Sequence, residues 1–189
     1  NDCLSFEAAL DGVPLITDCG TYVYSADPQW RNDFRSTGFH NTPIIGGEEI
    51  NRFVKPEYLW SLHDDAAPQA RHWHPSDNAD WFVGAHTGYH RLPNPVTVVR
   101  TIMLDKTAHR LCIIDHFEGN DDHGVRVPFH LALGVEVEEQ TPGQWRLKAD
   151  GGDFLMIADM GENWTATLGD GWVSPSYGVK HPAKVLNFT

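Results

Sequence analysis

Val96-Thr97-Val98-Val99-Arg100-Thr101-Ile102-Met103-Leu104 is followed, after a polar break, by Leu111-Cys112-Ile113-Ile114-Asp115-His116-Phe117. After a second break comes Val125-Arg126-Val127-Pro128-Phe129-His130-Leu131-Ala132-Leu133. These runs are rich in β-branched and aromatic residues and show almost no helical period. Glu118-Gly119-Asn120-Asp121-Asp122, between the second and third, is a cluster of turn formers. Upstream, Leu4-Ser5-Phe6-Glu7-Ala8-Ala9-Leu10 alternates, Asp11-Gly12 turns and Val13-Pro14-Leu15-Ile16 returns. Further extended segments are expected around 42–45, 59–62, 79–89, 135–138, 144–148, 154–158, 164–168 and 172–173. Only the stretch from Ser25 to Ser36 departs from this pattern. There Asp27-Pro28 reads as a cap with proline in the first turn, ahead of a short helix through Trp30 to Arg35. Many short strands at this spacing predict an all-β fold, a two-layer antiparallel β-sandwich forming one domain over 1–189. The loop-rich stretch 64–78 is its main excursion, and Leu4, Phe6, Leu15, Val96, Val98, Ile113 and Leu131 are expected inside.

Composition narrows the function classes. Seven Trp, nine Phe and five Tyr in 189 residues imply a substantial core and exclude a disordered chain. No apolar run approaches the ~20 residues of a membrane helix. Fourteen Lys+Arg against 26 Asp+Glu give a net charge of -12. That balance argues against non-specific nucleic-acid binding or a polybasic membrane anchor, and a polyanionic substrate would need locally concentrated cations. The opening Asn1-Asp2-Cys3, with no initiator Met and no charged-then-apolar leader, reads as a processed or excised piece of something longer. Three cysteines, Cys3, Cys19 and Cys112, form neither a disulfide framework nor a zinc knuckle and are expected as free thiols. A two-residue turn at Asp11-Gly12 would pair Leu4 with Cys19, whereas a three-residue loop would set Cys3 opposite Cys19.

Eleven histidines direct attention to metal or acid–base sites. His72-Trp73-His74 has a metal-like spacing, but no acidic residue completes a set, and Arg71 and Pro75 suggest an exposed loop. His86 and His90 fall on one face of a strand-like segment, which suits either a sugar groove or a plain solvated face. His130, in Phe129-His130-Leu131, reads as a structural histidine with its ring hydrogen-bonded. No nucleophile elbow, P-loop or dinucleotide fingerprint is present, and no glycosidase carboxylate pair stands out.

Two segments carry more. Asn1-Asp2-Cys3-Leu4-Ser5-Phe6-Glu7 leads into Asp18-Cys19-Gly20-Thr21-Tyr22. Trp30-Arg31-Asn32 leads into Arg35-Ser36-Thr37-Gly38-Phe39-His40-Asn41-Thr42. Together with His86-Thr87-Gly88-Tyr89, the segment from Pro95 to Arg100 and that from Val125 to Gly134, they resemble the heparinase II/III-like polysaccharide lyases in the same order. The resemblance implies the C-terminal sandwich of a toroid-plus-sandwich lyase, without its N-terminal α/α toroid. Such lyases cleave uronic-acid-containing polysaccharides by β-elimination: a base removes the proton α to the carboxylate and an acid protonates the leaving oxygen. It further implies that Asp18 and His40 are ligands of a zinc ion, with a further histidine ligand falling just before Asn1. Cys19 would be a substitute soft ligand, though the neighbour of a strand ligand points to the opposite face. The family's catalytic groups come mainly from the toroid, with Tyr22 and Tyr24 the candidate acid or base here; Arg31, Arg35 and His86 are the candidate substrate contacts, the alternative for the two arginines being pairing with Asp27, Asp33 or Glu48. The implied partners are an acidic polysaccharide and the toroid of the same parent chain, and the implied location is periplasmic or secreted. The isolated domain is expected to be inactive, and the alternative is a non-catalytic carbohydrate-binding or structural sandwich.

Overall fold

The computed structural model describes all of residues 1–189. The chain begins with a hairpin, β1 (Ala8–Leu10) and β2 (Val13–Ile16). Asp11 and Gly12 both have positive φ, 51° and 79°, the backbone that a two-residue turn needs to match strand twist. One short helix follows, α1 (Pro28–Phe34), as the cap pattern predicts. The Asp27 side chain accepts from the Gln29 and Trp30 amides at 3.0 and 3.1 Å, and Pro28 opens the first turn. After a single 3₁₀ turn (Thr37–Phe39) come β3 (Ile44–Ile45), β4 (Gln69–Pro75), β5 (Ala79–His86), β6 (Thr97–Asp105) and β7 (Arg110–Glu118). The remainder are β8 (Val125–His130), β9 (Glu136–Thr141), β10 (Gln144–Ala149), β11 (Gly152–Ile157), β12 (Ala166–Ser176) and β13 (Val179–Phe188).

Every strand pairing is antiparallel. One layer runs β12-β13-β8-β3, and the β1–β2 hairpin joins it through a bridge from Ile16 to Leu131. Val125 and Val127 lie two apart on β8 and so point to one face. That face meets Trp145, Leu147 and Ala149 of β10 in one core, and Val96 and Val98 at the start of β6 in another. The sheets β11-β10-β9 and β4-β5-β6-β7 therefore form the second layer side by side, with Phe117 and Val125 touching both cores. This is the expected sandwich. Leu15, Val96, Val98 and Leu131 are buried, whereas Leu4, Phe6 and Ile113 are only half-buried. Phe6 sets its ring edge-on against Phe129 at 5.5 Å.

Four local expectations need correction. The stretch 64–78 is not all loop, because 69–75 forms β4, an edge strand with every residue exposed. With neither face buried, it has no apolar alternation to read, and its Pro75 sits at a strand end that needs no ladder donor. Residues 59–62 are turn, with only Leu62 bridged to Phe53. The last strand, β13, contains Pro182 and was not expected, yet it is the central partner of both β12 and β8. The β1–β2 ladder stops at Ala8 after a bulge, so it never reaches Leu4 or Cys3, and all three cysteines are free. No helix is long and apolar enough to cross a membrane.

Between the layers lies a charged side chain. Arg100, on β6, has no solvent exposure and grips Asp115 of β7 through two bonds of 2.7 and 2.8 Å. It also donates to the carbonyls of Leu4, at 2.8 Å, and Asn41. A buried pair is stable only when its remaining donors are satisfied, and here the backbone of residues 4 and 41 does so. Arg100→Met should cost about 3–5 kcal/mol in urea unfolding, because it strands the Asp115 charge. Arg100→Met with Asp115→Leu should recover most of that loss.

Candidate metal centre

The loop after β2 is pinned at both ends. Thr17 donates its amide to the His130 carbonyl at 3.0 Å, and Cys19 accepts from the Ser174 amide at 2.7 Å. Gly20 has φ of 76°, and a Cβ there would lie 2.3 Å from the Ser174 carbonyl oxygen, so no other residue fits. Its amide donates to Asp18 Oδ1 at 2.8 Å, which aims the second carboxylate oxygen away from the loop.

His40 follows the 3₁₀ turn and brings Nδ1 to 2.6 Å from Asp18 Oδ2. The two residues that family resemblance singles out thus converge, across 22 positions of sequence. His40 is buried, while Asp18 keeps about a third of its side-chain surface. Burial alone would raise the Asp18 carboxyl, but the His40 hydrogen bond and charge, with the Gly20 amide, outweigh it and hold it below its ordinary value.

What fixes this pair is Asn41, a residue within the quoted motif for which spacing suggests no role. It is fully buried. Its side-chain amide donates to the carbonyls of Phe6 and Thr17 at 2.9 and 2.8 Å, and its Oδ1 accepts from the His130 amide at 2.7 Å. Its own amide donates to Ser5 Oγ at 2.9 Å and its carbonyl accepts from Arg100. Thr17 and Asn41 are the chain neighbours of Asp18 and His40, so this one side chain sets their spacing.

Cys19 Sγ lies with the two ligand atoms, all within 4.8 Å of one another. The alternation argument fails because residues 17–20 are loop, not strand. Its S–H faces the carbonyls of Gly20 and Phe34 at 3.2 and 3.4 Å, and burial with the Asp18 charge pushes the thiol well up. A neutral thiol is a poor ligand, so Cys19 adds little unless a cation displaces its proton. The carboxylate and imidazole suit zinc in donor type. Tetrahedral ligands at zinc distances lie about 3.3 Å apart, so the 2.6 Å contact must open by well under 1 Å to admit an ion. The residues present fit, and as they stand they are hydrogen-bonded to each other.

The other candidates are placed elsewhere. His86 is fully buried at the end of β5, accepts from the Gly88 amide at 3.3 Å and has no partner on Nε2. It therefore cannot line a surface groove, and the expected substrate role is corrected. His90 lies in a turn beyond the strand, bonded to Thr97 Oγ1 at 2.8 Å. Arg35 is buried as well. Its guanidinium bonds Asn32 Oδ1 at 2.9 Å and the Ser61 and Tyr58 carbonyls at 3.2 and 3.3 Å, so it ties α1 to the loop before residue 62 and is not free for a carboxylate. Arg31 has no acidic partner: Asp27 caps the helix, Asp33 accepts from Gln29 and Glu48 pairs with Arg91. Tyr22 packs between Trp30 and Phe34, and Tyr24 stands half-exposed beside Trp60 and Tyr177. Neither hydroxyl is hydrogen-bonded to the Asp18–His40 pair. His130 donates Nε2–H to the Gly38 carbonyl at 3.2 Å, as a structural histidine should. His72 and His74 stack, 6.2 Å between ring centroids, with no carboxylate beside them.

Two outcomes follow from this geometry. Asn41→Ala strands two buried carbonyls and one buried amide, and should cost about 3 kcal/mol or more in denaturant unfolding. His86 is pushed down from the ordinary 6.5 to about 4, first by burial and then by the Arg100 charge. The unfolded chain therefore takes up this proton first, so stability falls as pH drops from about 6.5 towards 4, by up to about 3 kcal/mol. In His86→Gln the slope of unfolding free energy over that window should be shallower than in the parent sequence.

Comparison with known proteins completes the description. The family described as "Heparinase II/III-like, C-terminal" matches residues 1–189. A heparan sulfate lyase of Pedobacter heparinus superposes with a TM-score of 0.79 at 19% identity, covering 99% of this chain and 27% of the lyase. A heparinase III gene product gives the same values, 0.79, 19%, 99% and 27%. The chain thus spans about a quarter of these structures. None of the curated protein sequences compared with it matches.

Proposed function

The chain belongs to the heparinase II/III-like C-terminal family, and from that premise we propose that it is the sandwich domain of a lyase that cleaves uronic-acid-containing polysaccharides by β-elimination. The observation that carries this reading is the convergence of Asp18 and His40, at 2.6 Å, in a loop system built by buried hydrogen bonds. Such rigidity is what a site needs if it must present charge without reorganising. In this reading the domain forms one wall of a cleft, and an N-terminal α/α toroid of the same parent chain forms the other. As the family resemblance implies, base and acid come mainly from the toroid side, and the 189 residues alone do not turn substrate over. The protein acts where acidic polysaccharides are met, in the periplasm or after secretion.

Asp18 and His40 would hold zinc. When bound, the ion supplies a fixed positive charge at the cleft wall. The residues themselves do the rest: Gly20 orients the carboxylate, Asp18 keeps the imidazole in one rotamer, and Asn41 keeps the two loops at one separation.

The test uses the full-length parent and a panel of uronic-acid polymers, read by the ultraviolet absorbance of the unsaturated product and by metal analysis. Cleavage of at least one polymer is expected, with zinc retained. Asp18→Asn and His40→Ala should each lower zinc affinity by more than about tenfold. A parent that cleaves none of the polymers returns the domain to the binding-module alternative. Zinc uptake unchanged in both variants removes the ion from these residues.

A further inference from the structure

Among the eleven histidines, His72 and His74 alone pack ring against ring, with centroids 6.2 Å apart and planes 19° from parallel. They lie two apart on β4, beyond its bulge, opposite Val83 and Trp81 of β5. Both imidazoles therefore leave the same face of the sheet. Every residue of β4 is exposed, so the two rings are open to water. His40, His90, His109 and His130, by contrast, are each tied to a neighbouring side chain or carbonyl. The strand beneath the pair is held in place. Arg71 forks onto Glu118 at 2.8 and 3.2 Å, and Lys106 donates to the Ser76 carbonyl at 2.7 Å where the chain turns towards β5. Trp81, half-exposed, stands edge-on to the His72 ring at 6.3 Å and walls one side.

We propose that His72 and His74 chelate a transition-metal ion of borderline softness, copper(II), nickel(II) or zinc(II), at a site separate from Asp18 and His40. Held at about 2.1 Å by one nitrogen of each ring, a tetrahedral ion sets the two centroids about 5 Å apart. The observed 6.2 Å closes to this by rotation of two exposed side chains, with no movement of the strand. Imidazole nitrogen selects this class of ion, copper(II) most tightly, and rejects calcium and magnesium, which need oxygen ligands. The lack of a carboxylate beside the pair decides the kind of site. Two protein ligands leave the other positions to water, so the ion exchanges with solvent and adds nothing to the fold. Charge favours it too. Arg71 is neutralised by Glu118, and a chain of net charge -12 draws cations to its surface. The inference uses neither the lyase reading nor the family motif.

Calorimetric titration of the 189-residue chain with nickel(II) tests this. Uptake is expected, with none of magnesium or calcium. His72→Ala and His74→Ala should each weaken it by about tenfold or more, because a lone imidazole loses the chelate. The same component should persist in Asp18→Asn, which leaves β4 untouched, and in His181→Ala, which removes a single exposed histidine from β13. Copper(II), being paramagnetic, should quench Trp81, so Trp81→Phe should bind the ion with less quenching than the unaltered chain. Thermal melts of the two histidine variants without metal should be unaltered, since both rings are exposed. No nickel uptake overturns the proposal, as does uptake that survives both histidine substitutions or equals that of magnesium. Nickel lost in Asp18→Asn and kept in His72→Ala assigns the ion to the other centre and overturns it as well.

Discussion

A single buried amide organises this domain. Asn41 has no contact with solvent, so each of its polar atoms must find a protein partner or cost the full price of desolvation. It finds them in four separate segments: residues 5 and 6, Thr17 after β2, His130 at the end of β8, and Arg100 on β6. Only one mutual arrangement of those segments satisfies them all. Packing of apolar side chains tolerates small shifts, whereas a hydrogen bond weakens steeply when misaligned. The sandwich core supplies cohesion, and Asn41 supplies register.

Arg100 extends the same constraint into the second layer. Its guanidinium meets Asp115 along the sheet and the carbonyls of Leu4 and Asn41 across it. The first six residues, which form no strand, are therefore held by polar contacts and not by a ladder. Thr42 adds another by donating its hydroxyl to the Cys3 carbonyl at 2.7 Å. His86, buried beside Arg100, stays neutral because that positive charge and the loss of water both disfavour its proton. The interior is thus polar where the N-terminal segment crosses it and apolar elsewhere. The Asp18–His40 pair sits at the edge of the polar part.

How much of this was legible follows from burial. Strands with one wet and one dry face, such as β10 with its alternating pattern, declare themselves through period two. β4 has two wet faces and β13 a proline, so neither shows a strand pattern in the sequence although both are as regular as the others. The α1 cap was legible because Asp27 and Pro28 act locally. Asp18 and His40 were found through motif resemblance alone, since nothing in their spacing brings residues 18 and 40 together. Arg35 and His86 misled for the same reason: a charged or titratable side chain looks functional until its burial is known. Asn41 stands in the family motif, but its spacing gives no sign of its role, because what it does depends on four segments distant in the chain.

The distribution of charge carries a further consequence. Most cations are cancelled by a carboxylate, so they add little field beyond their own pair. The net charge of -12 is then felt as a general repulsion of any polyanion over most of the surface. Any polyanion approaching such a domain is guided as much by where it is refused as by where it is held. Arg31, Lys55 and Lys180, around α1, have no carboxylate partner and weaken that field locally, as does Arg126 on β8. Helix α1 also leads directly, through residues 35–39, to His40. The placement of charge, more than its total, then decides where a polyanion can approach this chain.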